Sequence, residues 1–162
     1  MHRLICCALA LMSAFALASC AGNPEPAVPP PPPQPLVALE IQPREITIAK
    51  PGTGEPLLVH NVSLTLRAQA PAGRGINAPL PDTQVFDFYV MYSGVEVWRW
   101  SSDKQFFAQQ TPFELPPGTG FTFTETWPVD AAKFVAGDYT VYGVIKATGD
   151  TASERFTIRY PE

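Results

Sequence analysis

EVWRWSSDKQFF, residues 96–107, sets two tryptophans around one arginine, follows them with a short polar run and ends on two phenylalanines. In an extended chain successive side chains alternate between faces, so Glu96, Trp98 and Trp100 share one side and Val95, Val97 and Arg99 the other. Apolar bulk on both sides marks a central strand. Trp98 is expected in the core and Trp100 at its edge. Arg99 is expected across the outer face, its stem over an aromatic ring or its head on a carboxylate. A Trp-Arg pair is also the composition of interface hot spots, which makes Arg99 and Trp100 candidate partner-binding residues. Ser101-Ser102-Asp103 ends the strand, because short polar side chains bond to nearby backbone.

The same signal recurs on both sides of this stretch. No window after residue 36 carries a persuasive helical period, whereas short alternating or β-branched runs follow one another with turn residues between them. In LLVHNVSLTLRA (57–68), Val62, Leu64 and Leu66 fall on one face; in FTFTETW (121–127), Phe121, Phe123 and Trp127 point one way and the threonines the other. Further strands are predicted at 36–41, 45–49, 85–92, 95–100, 113–115, 139–146 and 156–160. Turns are expected at 50–56, at Ser93-Gly94, at Pro116-Pro117-Gly118 and at Gly137-Asp138. QAPAGRGINAPLPDT (69–83) reads as a long Gly/Pro loop. Seven to nine short strands at this spacing predict an all-β fold, a single antiparallel sandwich. A tryptophan in an early-middle strand, and Tyr139 just after Gly-Asp, give it an immunoglobulin- or fibronectin-like layout. Trp98, Trp127, Phe88, Phe121, Phe123 and Tyr139 are the expected large core side chains, each contributing about 1.5–3 kcal/mol on full burial.

The N-terminal fifth of the chain is of another kind. Met1-His2-Arg3 is a short basic region, and LICCALALMSAFAL (4–17) has the length of a signal-peptide apolar segment rather than of a membrane span. It ends in Leu17-Ala18-Ser19-Cys20, a lipobox pattern in which Cys20 would be lipidated and become the new N-terminus. Residues 1–19 are thus expected to be a lipoprotein signal peptide. Residues 20–35 would be the lipidated cysteine and a proline-rich tether, and 36–162 the folded domain. AGNPEPAVPPPPPQP (21–35) cannot join a helix or sheet, because proline fixes φ and lacks the N–H. As a polyproline II spacer it would reach about 45 Å. The three cysteines are Cys6, Cys7 and Cys20, so the domain itself has no thiol and no disulfide. Export predicts the cell envelope. In a cell with two membranes, Ala21 in place of an aspartate after Cys20 points to the outer membrane, facing the periplasm.

Few function classes fit this composition. The net charge is −4, and the eleven Lys and Arg are scattered against fifteen Asp and Glu, so the basic cluster that nucleic acid requires is missing. His60, the one histidine outside the signal segment, stands mid-strand and reads as a solvent-facing side chain. No nucleophile elbow, phosphate loop or paired-histidine spacing is present, and the carboxylates are spread singly. We therefore expect no enzyme, no catalytic residue, no cofactor and no metal site.

VFDFYVMYSGVEVWRWSSDKQFFAQQ (85–110) resembles the intracellular proteinase inhibitor family, the BsuPI domain. The residues that carry the resemblance are Phe86-Asp87-Phe88, Gly94, Glu96-Val97-Trp98-Arg99-Trp100-Ser101, Phe106 or Phe107, and Gln109. Leu115, Pro117-Gly118, Trp127 and Gly137-Asp138-Tyr139 follow in the family's order. The resemblance runs from about residue 46 to 158. It departs after the long second strand, where Arg67-Ala68-Gln69 leads into the Gly/Pro loop, and before the hairpin glycine, where Met91-Tyr92-Ser93 stands. It implies a small β-sandwich and inhibition of a serine protease. Two readings follow. One is a tethered protease inhibitor, with Arg74 in the 69–83 loop as a candidate contact for a trypsin-like specificity pocket. The other is a non-inhibitory envelope module that binds a partner protein.

Overall fold

The row Val62, Leu64, Leu66 and Ala68 is fully buried along one face of a long strand, and the rest of the fold is arranged around it. The computed structural model describes residues 35–162 apart from positions 51, 53 and 55; the signal segment, Cys20 and nearly all of the proline-rich stretch lie outside the described residues. Ten strands follow in order: β1 Leu36–Gln42, β2 Glu45–Thr47, β3 Val59–Gln69, β4 Ile76–Leu80, β5 Phe86–Tyr92, β6 Val95–Arg99, β7 Thr111–Leu115, β8 Gly120–Asp130, β9 Gly137–Ile145 and β10 Thr151–Arg159. A four-residue 3-10 turn, Trp100–Asp103, is the one helical element described. The chain is all-β, as expected.

The long strand β3 pairs on both sides to give a three-stranded sheet, β1-β3-β8, and the facing sheet has the order β2-β10-β9-β5-β6. Every pairing is antiparallel except β2 with β10. The inward rows of the two sheets meet at one tight point. Gly143 follows Tyr139 and Val141 in the inward row of β9, and a Cβ there would lie 2.6 Å from Leu66 Cδ1. Glycine lets the sheets close on the leucine. Around it Trp127 on β8 meets Phe156 at 5.0 Å and Phe134 at 5.3 Å, both edge-on, the geometry that the ring quadrupoles favour.

Three expectations are corrected. The 69–83 segment is no free loop: β4 runs through it and pairs with β7, bringing the strand count to ten. Prolines in both strands hid the ribbon. Pro79 and Pro112 lie directly opposite each other. Neither can donate a hydrogen bond, so they occupy a facing pair that exchanges none. Phe121, placed in the core with Phe123 and Trp127, is 46% exposed. At that end of β8 its ring neighbours are Phe113, from the ribbon, at 5.9 Å and Phe123 at 6.0 Å. Trp98 is half-buried rather than enclosed, its ring 6.1 Å from Trp127.

Tyr139 closes the corner before β9. Its hydroxyl donates to the Val135 carbonyl at 2.7 Å and accepts from the Val135 N–H at 3.2 Å, the backbone anchorage of a tyrosine corner. Burial pushes the hydroxyl above the usual tyrosine range, opposed by its bond to Val135. A phenol whose pKa is raised by folding contributes stability below its unfolded value near 10, and that contribution is lost as pH rises through the folded value. Tyr139→Phe is expected to lower the unfolding free energy by about 0.5–1.5 kcal/mol at neutral pH, the net worth of a hydrogen bond, since Val135 is itself 43% exposed and its backbone groups can turn to water. The variant should also lose less stability than the wild type above pH 10. Urea titrations at neutral and alkaline pH measure both, and equal stability at pH 7 would show that the corner bond contributes nothing.

Candidate functional site

The hairpin β5–β6 turns through two residues, Ser93 and Gly94, with φ of 49° and 81°. Positive φ at both central positions is the primed turn that matches strand twist, and it sets Tyr92 opposite Val95. Met91 then faces Glu96, but Val90 faces Trp98 and Tyr89 faces Arg99, so Val97 has no opposite number. This bulge breaks the simple alternation expected for the stretch, and β6 lies at the edge of its sheet rather than at the centre as expected. Glu96 shares the outer face with Arg99, three residues away, while Trp98 turns inward beside Val90.

On that outer face Arg99 is fully engaged. Its Nε and Nη2 donate to Glu96 Oε1 at 3.0 Å and Oε2 at 2.5 Å, and its Nη1 donates to Asp87 Oδ2 at 2.6 Å. The guanidinium carbon lies 4.9 Å from the Tyr89 ring centre, and Tyr89 stacks on Tyr142 at 4.7 Å. The hydrogen bonds that Arg99 donates to Glu96, and after them the one it donates to Asp87, hold the Arg99 pKa above its ordinary value despite partial burial. Asp87 is only 2% exposed, although it sits on the outward row of β5, because Arg99 and the 3-10 turn cover it. Its Oδ2 also accepts from Ser101 Oγ at 2.8 Å. Ser102 Oγ bonds back to the Arg99 carbonyl at 2.8 Å, the local capping expected of the serines. Nothing in the spacing singled out Asp87 and Glu96 as the arginine's partners. The one local signal was a carboxylate flanked by Phe86 and Phe88 in a strand, where a buried charge calls for a cation.

Trp100 lies at the edge of this cluster and forms a platform. It stacks on Phe86 at 4.5 Å, and Phe86 stacks on Phe123 at 4.4 Å. On the other side Lys104 Nζ sits 4.6 Å from the Trp100 ring centre and the Phe106 ring 6.1 Å away. A two-lobed groove, with volumes of about 320 and 630 Å³, runs between the edge strands β6 and β8. Both lobes are walled by Trp98, Arg99, Ser102 and Pro128. Val95 and Val97 are exposed on the edge strand, by 63% and 39%.

Arg74 is elsewhere, on the turn before β4. Its N–H donates to the Pro71 carbonyl at 3.2 Å, and that carbonyl also accepts from Gly118 N–H at 3.1 Å, so two turns are tied together. The Arg74 side chain is exposed and has no ion pair among the described residues. The structure therefore separates Arg74 from the Arg99–Trp100 cluster by element and by environment. His60 is half-buried on β3 opposite Val129. Among the described residues no group of three or more His, Cys, Asp or Glu side chains is gathered as metal ligands would be.

A family model described as BsuPI, intracellular proteinase inhibitor, matches residues 59–149, from the start of β3 to the turn after β9. No curated protein matches the chain. Among solved structures, that of Spo0M, a sporulation control protein from Bacillus subtilis, is similar at 12% identity with a TM-score of 0.46. The match covers 78% of this chain and 49% of that one, so the chain spans about half the length of that protein.

Proposed function

The chain belongs to the BsuPI intracellular proteinase inhibitor family, and from that membership we propose that it is an exported, membrane-tethered inhibitor of a serine protease. Its domain acts by binding rather than by catalysis. The family match over residues 59–149, which contains the whole Trp-Arg hairpin, is the observation that carries this reading. The tether belongs to the proposal. Residues 1–19 would direct export, lipid on Cys20 would anchor the protein in the envelope, and residues 20–35 would hold the domain off the membrane. In a two-membrane cell the lipid would sit in the outer membrane, with the domain in the periplasm. Were the target trypsin-like, Arg74, exposed on a braced turn, would be its contact.

Titration of the full-length protein against subtilisin-, chymotrypsin- and trypsin-like proteases tests the activity. Inhibition of one class at micromolar or lower concentration is expected, and simple digestion of the protein by all of them would end the proposal. Cys20→Ala tests the placement. The variant should move from the membrane to the soluble fraction, and continued membrane association would contradict lipidation there.

A second reading, a non-inhibitory envelope module, is favoured by the groove between β6 and β8. Half-buried Trp98 and Trp100, the Arg99 guanidinium and the exposed Val97 give it the aromatic and arginine composition of a protein-docking surface. Crosslinking in envelope fractions with wild type and Val97→Asp distinguishes it. A specific partner lost on that substitution, with no protease inhibited, would replace the first reading with the second.

A further inference from the structure

Residues 104–110 join the 3-10 turn to β7 without forming a regular element, and all but Phe106 are exposed. Their side chains take two directions. Lys104 and Phe106 both turn onto the Trp100 ring. The alternation of an extended chain sends Gln105 and Phe107 the other way. Phe107 is 71% exposed, the most exposed of the large apolar side chains among the described residues.

The backbone is held on one side only. Phe107 N–H donates to Thr83 Oγ1 at 3.1 Å, and the Phe107 carbonyl accepts from Thr83 N–H at 3.1 Å and from Gln109 N–H at 2.7 Å. In an extended chain the N–H and C=O of one residue point the same way and those of its neighbours the opposite way. The Gln109 N–H to Phe107 carbonyl bond closes a three-residue turn at Ala108, so the extended geometry reaches only as far as Phe107. The N–H and C=O of Phe106 therefore face away from Thr83, and no hydrogen bond to them is made among the described residues. The segment is an irregular loop pinned to Thr83 through the Phe107 backbone and turned at Ala108, with the Phe106 main chain free and an unsupported phenyl ring at Phe107.

We propose that residues 104–110 are the protease-contacting segment of this inhibitor, entering the substrate cleft with Phe106 supplying main-chain hydrogen bonds and Phe107 filling an apolar pocket. This rests on the inhibitor reading above and names its target class: a serine protease with an apolar specificity pocket, subtilisin- or chymotrypsin-like, rather than a trypsin-like one. A free main-chain group beside an exposed aromatic side chain offers a cleft both a hydrogen bond and an anchor. The target meets a segment already ordered by Trp100 and Thr83, so little conformational freedom is lost on docking. The Phe107 carbonyl, held by two N–H donors, is turned from an attacking hydroxyl, so the segment binds without being cut.

The test is to measure inhibition constants of full-length wild type, Phe107→Ala and Arg74→Ala against proteases of the three pocket types. Wild type is expected to inhibit the apolar-pocket enzymes and stay intact on a gel. Phe107→Ala should weaken that inhibition about 30-fold or more, as loss of a central aromatic anchor does, with an unchanged melting temperature. Arg74→Ala should match wild type. Hydrogen exchange at residues 104–110 should slow when wild type meets the target with its active-site serine replaced. If wild type inhibits and Phe107→Ala inhibits equally well, the segment is not the contact, while the inhibitor reading stands. Trypsin-like inhibition lost in Arg74→Ala alone moves the contact to that turn and also overturns the proposal. If wild type inhibits none of the enzymes, the inhibitor reading itself fails and this inference falls with it.

Discussion

Replacing Arg99 with alanine is expected to lower the unfolding free energy by about 3–5 kcal/mol, the range found when one partner of a buried ion pair is removed. The loss would lie mainly with Asp87. Arg99 keeps about a third of its side chain in water, at 34% exposure, whereas Asp87 keeps 2%. Asp87 Oδ2 has two donors, Arg99 and Ser101, and Oδ1 has no partner among the described residues. Without the guanidinium, one serine hydroxyl and the water admitted where Arg99 lay would remain to stabilise the carboxylate, so the loss falls toward the lower end of that range. Glu96, 40% exposed, would return to water at little expense. The double substitution Asp87→Leu/Arg99→Leu should recover most of the loss, since removing both charges leaves no buried ion unpaired. Urea unfolding of the three proteins decides between outcomes. A single variant within about 0.5 kcal/mol of wild type would place the pair among ordinary surface contacts.

Trp127→Ala should lower stability by a similar amount, about 3–5 kcal/mol, for a different reason. The Trp127 side chain is fully buried between the sheets and touches the rings of Trp98, Phe134, Tyr139 and Phe156. Alanine leaves a cavity that four aromatic neighbours cannot collapse into. Trp127→Phe should lose much less. It keeps a ring in the same slot and also removes Trp127 Nε1, a buried donor with no acceptor among the described residues. Leaving such a donor unpaired costs about 1–3 kcal/mol. Thermal and urea unfolding of both variants give the comparison, and a phenylalanine variant as unstable as the alanine one would show that the indole's extra size outweighs its unpaired N–H.

Local patterns in this chain were legible to different depths. The row on β3 and the alternation on β8 are repeated period-two signals with turn residues on either side, so the strands could be read from them. The Gly137-Asp138-Tyr139 corner was readable for the same reason: the turn residues and the tyrosine are adjacent in the chain. The β4–β7 ribbon was not, because Pro79 and Pro112 argue against a strand when each is seen alone and become acceptable only when set opposite each other. The facing of Glu96 was not readable either. A bulge depends on what the partner strand offers at each position, and the partner, β5, is joined to β6 through a turn whose register appears only in three dimensions.

Composition and periodicity along the chain therefore establish an all-β domain free of disulfides, and the residues of the Trp-Arg block carry its family. These are properties of neighbours in sequence, and short-range sterics and side-chain alternation are enough to produce them. Folding in space decides which charge meets which, that Trp100 supports a loop, and that Phe107 is held out while Phe106 is held in. Those outcomes depend on contacts between residues distant in the chain, Asp87 with Arg99 and Thr83 with Phe107, whose energies exist only once the strands between them have paired.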